Sequence, residues 1–279
     1  MGLRLQAVAA RQGWTWARDG MRLYLRRPLA FTGLFAIYLL ATYIIALLPL
    51  VSVVVLAGPP LLSLGFMIAA RSVLRGGALH PRQFVEPLVG PAPRRRALLL
   101  LCALYGAGML LALAWVVWVY GDAADALRQA AAKYGLSSRE ATEAALDPRL
   151  NQGMMAFVTL ASVLAIPFWH APALVLWGGQ GVWQSLFSST LGMWRAKGAY
   201  FVYLSAWLLA SVALSLTVSL LGGLLGAASI VFPMALGFVF ALATAFYVSL
   251  WFSFVDTFGS PDDDARPSPP EAPATAPEP

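Results

Sequence analysis

LAFTGLFAIYLLATYIIALLP, residues 29–49, carries no charged side chain over 21 positions. At about 1.5 Å of helical rise per residue, that length crosses the about 30 Å of hydrocarbon in a bilayer. The stretch is apolar on every side, whereas a strand of a membrane barrel alternates lipid-facing and lumen-facing residues over about 10 positions. A helix also satisfies its own backbone N–H and C=O groups where lipid offers no partner. The segment therefore reads as a membrane-spanning helix.

Working outward, VSVVVLAGPPLLSLGFMIAA at 51–70 follows almost at once, with Pro49 marking the turn of a hairpin. Four further apolar stretches lie at 97–120, 154–177, 199–221 and 227–255. The expected fold is all-α: a polytopic transmembrane helical bundle of about six spans filling residues 29–258. The last span has length to spare and is expected to tilt or project. Composition agrees, since 59% of the 279 residues are hydrophobic, 11% are charged and the mean hydropathy is +0.72. A soluble domain of this size needs more polar surface to cover its core.

The net charge of +6 does not point to nucleic acid, because the basic residues flank the spans and form no reading face. Fifteen of the 19 Lys and Arg fall in the N-terminal segment, the 71–96 loop, the 195–197 turn and the tail, against Arg128, Lys133, Arg139 and Arg149 on the other side. The positive-inside rule then places both termini in the cytoplasm. The first span can act as the insertion signal, so no cleaved leader is needed. Cys102 has no second cysteine with which to form an intrachain disulfide.

Residues 1–28 read as a cytoplasmic amphipathic helix. Arg4, Arg11, Arg18 and Arg22 align on one face, and Trp14, Ala17, Met21 and Leu25 on another. That pattern suits a helix in the headgroup plane, with Arg11, Arg18 and Arg22 as candidate contacts for anionic lipid. The extracytoplasmic loop 121–153 is expected to hold two short helices, with Ser137 and Glu140 at capping-box spacing and Asp147-Pro148 as a stop. Residues 71–96 are rich in Gly and Pro and predict turns with little regular structure. The tail 259–279, SPDDDARPSPPEAPATAPEP after Gly259, is expected to be disordered and cytoplasmic. The segment from Gly13 can also be laid against that from Trp183, which sets Arg27-Pro28 on Lys197-Gly198 and raises the question of a repeat.

No Asp, Glu, Lys or Arg falls in the centre of a span, which disfavours a proton pump or a pore with charged rings. Two histidines and one cysteine cannot form a His/Cys metal cluster, and the zincin, phosphate-loop, nucleophile-elbow and dinucleotide motifs are absent, so neither cofactor nor catalytic residues are expected. The exception is His170 in IPFWHAPALVLW, bracketed by Pro167 and Pro172. With Pro59 and Pro60 of the second stretch, these residues are the candidate contacts for a ligand or partner, because a proline-broken helix frees backbone carbonyls. Packing kinks explain the same prolines as well.

The segments GWTWARDGMRLYLRRP (13–28), GPPLLSLGFMIAARSVLRGG (58–77) and HPRQF (80–84) resemble an uncharacterised family of betaproteobacterial six-helix inner-membrane proteins, over residues 10–258. The resemblance implies the fold and an inner-membrane location, and it implies no activity. A weaker similarity is to the membrane domain attached to some bacterial glycerophosphodiester phosphodiesterases, whose catalytic residues have no counterparts here. Two functions remain open: an accessory or structural protein that binds membrane lipids, an envelope protein or itself, or a transporter of an apolar or amphipathic solute.

Overall fold

The computed structural model describes residues 5–48, 52–135, 138–225 and 228–262, and all regular structure among them is helical. Pro49, Ser137 and the tail from residue 263 onward lie outside the described residues. α1 (Gln12–Arg26) is followed by α2 (Pro28–Ala46), with Arg27 in a non-helical conformation as the joint. A 3₁₀ turn (Ser52–Ala57) leads into α3 (Pro59–Leu74), and another (Pro81–Phe84) leads into the single-turn α4 (Glu86–Val89). Then come α5 (Ala92–Tyr134), α6 (Arg139–Ala145), α7 (Pro148–Phe168), α8 (Ala171–Gly178), α9 (Val182–Arg195), α10 (Lys197–Leu225) and α11 (Ala228–Phe258).

Among the described residues, five helical stretches are long and apolar enough to cross a membrane: Pro28–Ala46, Ala92–Tyr134, Pro148–Gly178, Lys197–Leu224 and Ala235–Phe258. The second expected span takes a different form. Gly58, Pro59 and Pro60 do not kink a continuous helix, since the prolines occupy the first turn of α3, where a missing N–H has no intrahelical partner to lose. α3 has 16 residues, about 24 Å, so the 3₁₀ turn before it is needed to complete a crossing.

Two boundary expectations are corrected. Residues 122–134 are the end of α5, a single helix of 43 residues, because the Ala-rich sequence continues the span without a breaker until Gly135 at φ 90°. The cap of α6 is Ser138, whose Oγ accepts from Ala141 N–H at 3.1 Å. Asp147-Pro148 follows the end of α6 at Ala145, as the expected stop requires, and also starts the next helix: Asp147 Oδ1 accepts from Arg149 N–H at 2.8 Å, and Pro148 opens α7. The 71–96 loop is also more regular than its composition suggests, with α3 running to Leu74 and α5 starting at Ala92.

Burial is concentrated at one end of the bundle, where Trp16 and Leu23 of α1, Phe66 of α3, Leu174 of α8, Tyr203 of α10 and Phe254 of α11 are enclosed. The same end gathers the arginine-rich segments, shown by Arg27 Nη1 on Gly77 C=O at 2.9 Å and Gln6 N–H on Thr257 C=O at 2.9 Å. Away from it, Leu40, Ile44, Leu111, Trp118, Leu209 and Leu216 face outward. Apolar exposure of that extent is a liability in water and neutral in lipid.

α1 is not a free surface helix. Its buried face is Gly13, Trp16, Ala17, Gly20, Leu23 and Tyr24, packed on α10 and α11, while Trp14 and Leu25 point away from the core. Glycine is required at the two closest approaches: a Cβ on Gly13 would meet the Ala199 carbonyl and stand 2.7 Å from Tyr203 N, and one on Gly20 would stand 2.6 Å from Ser249 Cα. The open amphipathic face belongs instead to α9, which buries Ser185, Ser189 and Gly192 and exposes Trp183, Phe187, Leu191 and Trp194. In the register that pairs Gly13 with Trp183, α1 and α9 therefore bury opposite faces. They share a helix–joint–helix outline without being equivalent copies.

Candidate functional site

α7 ends at Phe168, one residue past Pro167, and α8 begins at Ala171 with Pro172 in its first turn. Trp169 and His170 form the joint. In an unbroken helix the His170 N–H would bond the Ile166 carbonyl. Here Ser189 of α9 stands in the gap: its Oγ accepts from His170 N–H at 3.0 Å and donates to Ile166 C=O at 3.3 Å. One hydroxyl replaces the missing rung, the kind of substitution that makes a broken helix tolerable in lipid.

The His170 ring is fully buried. Its Nε2 lies 2.6 Å from the Tyr200 hydroxyl, and Phe254 and Phe258 close over the ring. Tyr200 in turn stands 3.5 Å from Thr257 Oγ1, which donates to the Ser253 carbonyl at 2.7 Å. Nδ1 has no partner among the described residues. Whichever nitrogen carries the proton, one polar atom of the ring is left over, a cost of about 1–3 kcal/mol in such surroundings. This network holds α8, α9, α10 and α11 together, and His170 lines none of the three main hollows.

Pro59 and Pro60 are placed differently. With Ser63, Tyr105, Phe168 and Trp169 they line a hollow of about 150 Å³. The structure thus brings the start of α3 and the α7–α8 joint to one place, but it leaves His170, Pro167 and Pro172 off the wall. A larger hollow of about 490 Å³ lies between α10 and α11, with Trp207, Leu208, Leu214, Val239, Leu242 and Phe246 among its walls. Its side-chain hydroxyls are Ser211, already donating to Trp207 C=O at 2.9 Å, and Ser215.

The three arginines read as lipid contacts stay at the surface. Arg11 precedes α1 and is exposed. Arg18 Nε lies 2.9 Å and Arg22 Nη1 3.7 Å from Asp19 Oδ1, so both share one carboxylate. Among the described residues, no three His, Cys, Asp or Glu side chains come together as a metal site.

Sequence reasoning missed Ser189, Tyr200 and Thr257. A serine 19 positions beyond the joint and a tyrosine at the start of the next span carry no local mark of their role. Only tertiary packing reveals it.

Long apolar helices around a core, with apolar side chains turned outward beyond it, define a polytopic helical membrane protein. No family model matches the chain, and no solved structure does. It is similar to a probable inner membrane protein of Burkholderia thailandensis, with 29% identity over 261 residues that cover 92% of this chain and 94% of the relative. The chain is a multi-pass inner-membrane protein of undetermined activity.

Proposed function

We propose that this is an accessory, non-catalytic inner-membrane protein that holds an amphipathic lipid, with both termini in the cytoplasm. The observation that carries the reading is the hollow of about 490 Å³ between α10 and α11, whose walls are aliphatic and aromatic. An acyl chain matches such a wall in shape and polarity. The polar groups elsewhere in the bundle support the same view: His170, Ser189 and Tyr200 are committed to holding helices together. The gathering of the arginine-rich segments at one end supports the cytoplasmic placement of the termini.

Native mass spectrometry of the full chain, released gently from its own membrane, tests this. The expected result is a protomer or homo-oligomer retaining phospholipid, with retention reduced by Ala243→Leu, which fills the hollow. A lipid-free chain bound stoichiometrically to another envelope protein would overturn lipid holding and leave a scaffold role.

Transport of an apolar or amphipathic solute is the second reading. It draws on the helix start at Pro59-Pro60 and the α7–α8 joint, which meet at the hollow of about 150 Å³. Movement of a labelled amphiphile across proteoliposomes would favour it.

A further inference from the structure

A third hollow lies at the arginine-rich end, apart from the acyl-chain site. It measures about 570 Å³, and its walls include Arg71 of α3, Arg82 of the 3₁₀ turn, Arg94 in the first turn of α5 and Trp177 of α8. The Arg71 guanidinium sits 5.7 Å from the centre of the Trp177 ring, an orientation that fixes its fork. Arg75, which caps α3 one turn further on, does not line the hollow. Both arginines converge on Asp262: Arg71 Nε reaches Oδ1 at 3.1 Å and Arg75 Nε reaches Oδ2 at 3.1 Å, and each also pairs through Nη2.

Arg82 and Arg94 face the hollow with no ion pair among the described residues. Among the described residues the walls hold three arginines, Arg71, Arg82 and Arg94, and one acid, Glu86, an excess of two positive charges, while Asp262 pairs with Arg71 and Arg75 from outside the walls. A carboxylate offers two acceptor oxygens to these forks. A phosphate group offers more, and guanidinium pairs match it in a bidentate manner. Ile68 and Leu176 supply an apolar wall beside the charges, where the stem of a phosphate ester would rest.

We propose that this hollow is a binding site for a phosphate-bearing anion, and that the Asp262 carboxylate, which holds Arg71 from beside the hollow, competes with that anion for its guanidinium. The phosphate belongs either to a lipid headgroup or to a soluble ester; the arginines recognise the same chemistry in both. Asp262 then acts as an internal stand-in, whose removal frees Arg71 and Arg75.

The test uses the full chain in detergent. Adducts with dioleoyl phosphatidylglycerol are counted by native mass spectrometry against a galactosyl diacylglycerol of the same chains, which lacks phosphate. In parallel, the thermal midpoint is followed with added inorganic phosphate. Asp262→Asn is expected to strengthen binding several-fold, and the double variant Arg82→Gln/Arg94→Gln to weaken it by about tenfold, the equivalent of one charge-assisted contact. Arg82 and Arg94 are exposed and Asp262 is half-buried, and a cooperative thermal transition without phosphate verifies that both variants fold. Variant-dependent retention of phosphatidylglycerol alone identifies a lipid headgroup, and variant-dependent stabilisation by inorganic phosphate identifies a soluble ester. If neither probe binds, or if binding ignores both variants, the proposal is overturned. Failure here leaves the acyl-chain hollow untouched, because the Ala243→Leu comparison reads a different pair of helices.

Discussion

Trp16 Nε1 donates to Asp256 Oδ2 across 2.8 Å, fastening the first helix of the chain to the last turns of α11. Gln12 Nε2 donates to the same oxygen at 3.3 Å. Among the described residues the carboxylate is held by α1 alone, and loss of the indole leaves it short of a donor. Trp16→Phe keeps most of the buried ring and is expected to cost about 1–3 kcal/mol. Thermal unfolding in detergent should show a lower midpoint, and an unchanged one would mean that the bond contributes nothing to the fold.

Gly13 and Gly20 make the second prediction. Each faces backbone of a neighbouring helix, at Ala199 and Tyr203 or at Ser249, so an added methyl must push the helices apart. Gly13→Ala or Gly20→Ala should destabilise by about 1–3 kcal/mol or more, the usual range for overpacking. Gly33, with open space around it, is the matched control and should accept Ala without loss.

Ser189→Ala would leave both His170 N–H and Ile166 C=O short of the hydroxyl between them. The His170 N–H is then orphaned, while Ile166 C=O keeps the Trp169 N–H at 3.4 Å, so the expected cost is about 1–3 kcal/mol, whereas Ser188→Ala, one position away, should be near neutral. Chemical unfolding of the two variants side by side measures the difference. Equal stabilities would show that Ser189 does not bridge the joint.

Acid should release the start of the tail. Burial raises the Asp262 carboxyl, and the hydrogen bonds and charges of Arg71 and Arg75 lower it by more, leaving it below its ordinary value. A depressed carboxyl contributes docking energy that is complete above the ordinary carboxylate range, about pH 4, and lost as pH falls through the folded value. A nitroxide at Ser260→Cys should stay restrained at neutral pH and gain mobility only below that range. Mobility already high at neutral pH would show that Asp262 is undocked.

The proposed orientation gives a fifth prediction. A reporter fused after Gly259 should remain on the cytoplasmic side, and one inserted near Gly135 should be displayed outside. Reversed signals would invert the bundle and place the arginine hollow on the other side.

The lipid-spanning helices were legible because uninterrupted apolar length is a property of the chain itself. Residues 29–49 and α2 differ only at their ends. The amphipathic helices were legible in existence but not in use: Trp14 and Leu25 look like the apolar face of α1, yet the glycines at 13 and 20 decide which side another backbone can approach. Nothing local in α9 says that Ser185 and Ser189 turn inward while Trp183 and Trp194 turn out, an inversion that follows from having lipid as solvent. At the first residues of the tail, composition suggested disorder, and Asp262 instead pairs with α3 because two arginines one turn apart concentrate charge at that spot. His170 stood out correctly as the polar group within a span, but its partners lay 19 and 30 residues away.

The hydroxyl that mends the α7–α8 joint also imposes an order on biogenesis. Ile166 and His170 emerge from the ribosome well before Ser189, so a chain ending short of it carries an unmatched His170 N–H at the joint, while Ile166 C=O keeps only the long bond from Trp169 N–H at 3.4 Å. Hydrocarbon supplies no partner, and an unmatched group there costs several kcal/mol. The stretch from Pro148 to Gly178, long enough to cross, thus completes its joint only when α9 is present. A released chain truncated between Gly179 and Gln184 is therefore expected to leave Trp169 more open to water-soluble quenchers than one that ends after Arg195.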